Sequence, residues 1–249
     1  MVLFLDIFNF FLLAARLLMS TSEGPGRPSG LVLRVEPVFG AAPLVLNSPT
    51  YQTGKLNKLA ISRLRFYLTT VVLRYADGRT YAEPASHHLI DTDPEAMASL
   101  TVALPGAPAG KLRYLTFSVG VDSAANVAGA LGGDLDPARG MYWAWHSGYV
   151  NAKLEGSAPQ LATPHHEFAY HIGGFRAPFN TRRTMTLAVP ASIATGGRLV
   201  LRADVARWLD ALPIAQLADV QIPNAAAMTV ADACSRMFYL YEPPVHAGR

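Results

Sequence analysis

The chain has 249 residues, of which 51% are hydrophobic and only 16% charged, with a formal net charge of +3. A chain of this length buries a sizeable core without disulfides or a structural metal. Its one cysteine, Cys234, excludes an intramolecular disulfide and any cysteine-based zinc or iron–sulfur site. The basic residues are scattered (Arg63, Arg65, Arg74, Arg79, then Arg182 and Arg183), so no run forms the footprint that nucleic acid requires.

Residues 1–19, MVLFLDIFNFFLLAARLLM, are almost wholly apolar. An export signal has a positive start, an apolar centre and a small-residue cleavage site. Here Asp6 stands where a cation belongs, and Arg16 falls late. The segment reads first as a degenerate or mis-started export signal, helical and loosely packed. Its second reading is an N-terminal membrane anchor, which needs ~20 apolar residues, and its third an ordinary buried helix. STSEGPGRPSG, which follows, is linker-like. Residues 1–30 are therefore expected to be a signal-like or anchor segment with linker, 31–240 the folded domain and 241–249 a disordered tail.

From Leu31 the pattern is mainly β. LVLRVEPVF (31–39) alternates as a half-buried strand does. In residues 59–83, Leu59, Ile61, Leu64, Phe66, Leu68 and Val71 approximate a period of two, and Ala76-Asp77-Gly78-Arg79 supplies a turn. HHLID (87–91) is a short apolar segment, and 98–122 reads as two strands about a Pro/Gly turn. Segments 148–156, 167–175, 184–190 and 197–205 continue the series. Helices are expected over 204–212, stopped by Pro213, and over 224–240, opened by Asn224 as N-cap. Many short strands separated by turns predict an all-β fold, a β-sandwich of mainly antiparallel strands with one or two short C-terminal helices.

No P-loop, G-x-S-x-G, H-E-x-x-H or dinucleotide fingerprint is present. GALGGD (129–134) lacks the Lys-Ser/Thr of a phosphate cradle and reads as a loop. Asp122, Asp134 and Asp136 do not have EF-hand spacing and read as turn formers. Histidine is more informative: His87/His88, His146 and His165/His166/His171 make three groups beside aromatic residues. A lone histidine is usually a satisfied core or surface residue, whereas imidazoles short of carboxylates suit Cu, Zn, Fe or Ni. Strand parity puts Phe168 and Tyr170 on one face and His171 on the other. Two of the three tryptophans, Trp143 and Trp145, fall within RGMYWAWHSGYVNAKLEG (139–156). Large aromatics suit strand cores, so packing alone explains the pair in part.

LGGDLDPARGMYWAWHSGYVNAKLEG followed by FAYHIGGF resembles the signature of the MbnP family of bacterial copper-binding proteins. ISRLRFYLTTVVLRYADGRTY, HHLIDTD, LTFSVGVDSAAN and MFYL resemble further segments of that family in the same order, so the resemblance covers roughly 31–240. It departs from the cysteine-containing members, since Cys234 is alone.

The resemblance implies an exported copper binder, periplasmic or at the cell surface, that is not an enzyme and serves copper acquisition or handling. It implies a di-haem, MbnH-like, peroxidase-like partner that oxidises Trp145 or Trp143 to kynurenine, whose aniline nitrogen and ketone suit a metal better than an indole. His171, then His88 and His146, are the expected ligands to Cu(I) or Cu(II). Asp91 and Asp122 are candidate carboxylates to orient a ligating imidazole through its other N–H. The alternative is a metal-free extracellular recognition module, with Trp143, Trp145 and Tyr149 as a stacking platform for carbohydrate or protein. A hydrolase is disfavoured, since no nucleophile–base pair is visible and Glu155 and Glu167 have no supporting context.

Overall fold

The computed structural model describes residues 30–145 and 148–243. The expectations for residues 1–19, for His146 and for most of the tail lie outside them. In chain order the elements are β1 (Leu31–Phe39), β2 (Ala42–Pro43), β3 (Ala60–Tyr75), β4 (Thr80–Ala82), β5 (His87–Asp91), β6 (Thr101–Leu104), β7 (Leu112–Val119), α1 (Ser123–Ala128), β8 (Tyr142–Trp143), β9 (Gly148–Ser157), β10 (Glu167–Gly173), β11 (Arg183–Ala188), β12 (Arg198–Asp204), α2 (Val205–Asp210), β13 (Asp219–Val220), α3 (Ala225–Ser235) and β14 (Phe238–Leu240).

Two sheets result. One runs β14-β12-β1-β2, with β6 also on β1. The other runs β11-β7-β3-β9-β10-β13, with β4 and β5 also on β3 and β8 on β9. The β-sandwich expected from the strand pattern is therefore the observed fold. Most pairings are antiparallel, but β1 pairs β12 in parallel over seven residue pairs, and β10 pairs β13 in parallel. Among the described residues no helix is long and apolar enough to cross a membrane.

Strand β3 organises the larger sheet. From Leu59, just before β3, the core-facing residues step by two to Ile61, jump by three to Leu64, and jump by three again from Leu68 to Val71. Each jump is a β-bulge: pairing with β9 shifts between Ile61 and Arg63, and pairing with β7 shifts between Thr69 and Val72. One extra residue flips the side-chain parity of everything beyond it. At the second bulge Thr70 takes a φ of 53°, a left-handed conformation that a β-branched residue adopts only where the surroundings impose it. Between the bulges Leu64, Phe66 and Leu68 face the other sheet, while Arg65, Tyr67 and Thr69 face outward.

The main core fills the space between the sheets, with Leu33, Val35, Leu199 and Leu201 from one side and Leu64, Phe66, Phe117 and Leu154 from the other. Phe238 inserts between them, edge-on to Phe66 and Phe117 at 5.3 and 5.2 Å between ring centroids. This corrects the expected helix over 224–240. Asn224 caps α3 as predicted, its Oδ1 accepting from the Ala227 N–H at 2.8 Å. The helix stops at Ser235, however, and Phe238–Leu240 pairs with β12. A β-prone Phe-Tyr-Leu gains both a ladder and burial by leaving the helix. The strand direction continues into Tyr241, whose N–H donates to Val200 O at 2.9 Å.

A second, smaller apolar cluster lies on the outward face of the larger sheet. Tyr67, Leu89, Val121, Ala125, Leu135, Met141, Trp143, Tyr149 and Val150 form it, beneath the Gly/Asp-rich segment that follows β7. That segment carries more structure than a plain loop. Asp122 caps α1 through the Ala125 N–H at 2.9 Å, Asp134 accepts from the Leu89 N–H at 3.0 Å, and Asp136 accepts from the Ala138 N–H at 2.8 Å. Asp122 and Asp136 are cap formers, as expected, whereas Asp134 ties the segment to β5 instead.

Candidate functional site

Trp143 enters the site from β8, whose two residues pair with β9 as Tyr142 with Tyr149 and Trp143 with Gly148. The indole of Trp143 lies on Gly173: a Cβ there would meet Trp143 Cζ3 at 2.5 Å and the Tyr149 carbonyl oxygen at 2.7 Å. The glycine pair of the H-I-G-G motif thus has a reason. Gly173 leaves room for the ring, and Gly174 takes a φ of 110°, where a Cβ would also meet the Phe179 carbonyl oxygen at 2.3 Å.

Trp143 is 9% exposed, whereas Trp145 is 64% exposed in the turn that follows β8. Their rings are 5.3 Å apart at an interplanar angle of 39°. Tyr149 is buried as well, at 1% exposure. The expected stacking platform of Trp143, Trp145 and Tyr149 is therefore absent: only Trp145 presents its ring to solvent, because the other two rings fill the outward cluster.

His171 stands two residues before Gly173 on β10, so both face outward on the same strand, ~7 Å apart along it. Tyr170 and Ile172 face the main core, as the parity argument requires. The Nε2 of His171 lies 2.6 Å from Glu155 Oε1, and Arg63 Nε lies 3.6 Å from Glu155 Oε2. This hydrogen bond, reinforced by the Arg63 charge, holds the Glu155 carboxyl below the ordinary glutamate range despite its partial burial. With Nε2 engaged, Nδ1 is the nitrogen of His171 left to meet a metal, the arrangement of carboxylate–histidine–metal triads. Beside them Lys153 donates to the Gly140 carbonyl at 2.7 Å, and desolvation lowers its pKa.

Asp91 and Asp122, the carboxylates expected to orient a ligand, serve other groups. Asp91 pairs with Arg65 at 2.9 Å. Asp122 lies 2.8 Å from Nε2 of His87, which was grouped with His88 but not expected as a ligand. Glu155 was legible only through the K-x-E of the motif, where Lys153 and Glu155 share a parity opposite to core-facing Ala152 and Leu154.

His88 does not join His171. It pairs with Leu68 on the inner face of β3, while His171 pairs with Lys153 and so with Arg65 on the outer face. Phe66 pairs with both Ala152 and Ile90, which places β9 and β5 on opposite sides of β3. The two histidines are thus three strands apart, ~14 Å, on opposite faces. Both carboxylate oxygens of Glu83 lie 2.9 Å from His88 Nε2. Among the described residues no three His, Cys, Asp or Glu converge on one point. His146 lies outside the described residues.

Four further rings lie near the W-x-W segment. Tyr142 packs edge-on to Tyr149 at 5.0 Å, and Tyr149 edge-on to Tyr67 at 5.8 Å. The Tyr149 hydroxyl accepts from the Leu131 N–H at 3.0 Å and directs its own proton to the carbonyls of Leu135 and Gly129, at 3.0 and 3.1 Å. The Tyr67 hydroxyl donates to the Asp134 carbonyl at 3.1 Å. Phe175 borders Gly148 and a cavity of about 210 Å³ with Arg176, Phe179 and Pro223.

Two stacked sheets, with a W-x-W segment packed on one outer face beside a carboxylate-held histidine, define a β-sandwich that carries this pairing on its outward face. The chain belongs to the MbnP family, whose sequence profile matches residues 28–228. Its fold is similar to the solved structure of MbnP from Methylosinus trichosporium, with a TM-score of 0.60 at 17% identity, over 85% of this chain and 97% of that one. Among curated proteins no sequence match reaches significance.

Proposed function

We propose that this MbnP-type chain is an exported copper binder, acting without catalysis in copper acquisition or handling at the periplasm or cell surface. Its site is built on His171 and a kynurenine made from the W-x-W segment by a di-haem MbnH-like partner. The observation that carries this reading is the placement of the Trp143 ring on Gly173, two residues along one strand from an imidazole whose Nε2 is held by Glu155.

The residues present fit a soft, low-coordinate metal in part. His171 supplies one oriented imidazole, and the indole beside it becomes a donor only once opened to an aniline and a ketone. His146, next to Trp145 in sequence, is the candidate for a further nitrogen. Copper, when bound, supplies the cargo; the chain supplies neutral donors and excludes competing thiolates, since Cys234 is buried away from solvent. The role of Glu155 is to fix the tautomer and orientation of His171.

The test is copper content after native purification from cells with and without the di-haem partner, for the parent and His171→Ala. The reading expects stoichiometric copper only in the parent modified by the partner. Equal copper in His171→Ala, or none in modified parent supplied with Cu(I), would refute it.

A further inference from the structure

The two tryptophans of the W-x-W segment differ in a way that assigns them different tasks. Trp145 offers most of its ring to solvent, and Trp143 is nearly covered. Their ring centroids are 5.3 Å apart, close enough for direct electronic contact. Only Trp143 rests on Gly173, beside the face that carries His171. We propose that Trp145 is an electron relay, the surface contact for the oxidant, and that Trp143 is the ring that is chemically changed. This division of labour rests on the functional reading above.

An oxidising equivalent that reaches the outward cluster has competitors, since Tyr142, Tyr149 and Tyr67 form a connected series of rings. A phenol gives up an electron readily only if its proton can leave at the same time. The Tyr149 and Tyr67 hydroxyls direct their protons to backbone carbonyls, which are not bases. Burial also raises the pKa of both phenols, that of Tyr67 more strongly. An indole can lose an electron first and its proton later. The geometry therefore keeps the oxidising equivalent from resting on Tyr149 or Tyr67, and exchange between the two indoles lets the reaction proceed at the ring beside His171. Trp143 is 9% exposed, and the water that supplies oxygen reaches its ring past this narrow opening.

The chemistry balances with a haem enzyme driven by hydrogen peroxide as the named oxidant. The enzyme removes one electron at a time from Trp145, and Trp143 refills each vacancy. Two peroxides together accept four electrons from Trp143. The C2–C3 bond of its indole breaks, two oxygen atoms enter from two waters and four protons leave with the electrons; the two peroxides become four waters, so the net products are N-formylkynurenine and two waters. One water then hydrolyses the formyl group, releasing formate and leaving kynurenine. Trp145 ends unchanged.

The experiment treats parent, Trp143→Phe, Trp145→Phe and Trp145→Tyr with the purified di-haem partner and hydrogen peroxide. Modification is read as gain of one oxygen and loss of one carbon, and is located by fragmenting the peptide of residues 140–153. The parent should carry kynurenine at Trp143. Trp145→Phe should give the same product with an initial rate roughly tenfold lower, and Trp143→Phe should give no kynurenine at Trp145. Kynurenine at Trp145 in the parent, or an unchanged rate in Trp145→Phe, would overturn the proposal while leaving tryptophan oxidation intact. A second arm needs no partner: photogenerated tris(bipyridine)ruthenium(III) oxidises the surface, and transient absorption reads the indole radical. Its yield should fall severalfold in Trp145→Phe and recover in part in Trp145→Tyr. If the parent acquires no mass change with the enzyme, the proposed function fails. The relay then stands or falls on this second arm, and an unchanged radical yield in Trp145→Phe overturns it.

Discussion

The ring of Trp143 occupies the space that a methyl group on Gly173 would need, with Cζ3 only 2.5 Å from the position of such a Cβ. The contact ties the W-x-W segment to the H-I-G-G segment, thirty residues further along the chain, and it brings an indole beside His171.

Gly173→Ala should therefore push the ring off its seat. The backbone at Gly173 does not demand glycine, so the penalty comes from overpacking, ~1–3 kcal/mol. For a chain of this size the melting temperature should fall by roughly 2–4 °C per kcal/mol, and tryptophan emission should shift to the red as the ring gains water. Gly174→Ala adds left-handed strain to its own clash and should cost more. An unchanged melting temperature and emission in Gly173→Ala would show that the ring sits elsewhere.

Glu155→Gln tests the orienting role of the carboxylate. A glutamine side chain keeps the size and one acceptor but loses the charge-assisted bond to His171 Nε2. Under the copper reading, affinity should fall about 10–100-fold, with folding stability little altered because the pair is partly exposed. Competition titration against a Cu(I) chelator measures this. Parent-like affinity would separate Glu155 from the metal site.

Asp122 gives a pH dependence with a defined sign. Burial pushes its carboxyl up, but bonds from the Ala125 N–H and from His87 outweigh that, so its folded pKa lies below the ordinary value. Stability from such a group is complete above the unfolded pKa of about 3.9 and is lost as pH falls through the lower folded value. Asp122→Asn should thus be less stable than the parent near neutral pH, with the gap closing toward acid. Asparagine still caps α1, so the difference isolates the charge. Urea midpoints that differ equally at neutral pH and at about pH 3 would contradict this.

Phe238→Ala should cost about 3–5 kcal/mol, because the ring fills the space between the sheets against Phe66 and Phe117. Were the residue instead on an exposed continuation of α3, the urea midpoint would scarcely move.

Local periodicity was enough to place the longer strands, though not the short β2, β8, β13 and β14, and it placed the turn at Gly78, the Asn224 cap and the outward direction of His171. These features depend on neighbours two to four residues away, so the sequence carries them directly. Even the two departures from strict alternation in β3, Ile61 to Leu64 and Leu68 to Val71, are legible as the places where an extra residue flips the faces. The order of motifs likewise contained the family. Which distant segments meet was decided only in three dimensions. The parallel pairing of β1 with β12, the insertion of Phe238 between the sheets, the seat of Trp143 on Gly173 and the capture of His171 by Glu155 all depend on register between strands far apart in sequence. The same holds for His88: pairing with Leu68 across β3 turns it to the inner face, away from His171, because cross-strand partners share a face and adjacent residues do not. A histidine's residue type is written in the chain, but the side of the sheet it serves is fixed by the bulges and partners of the strand beside it.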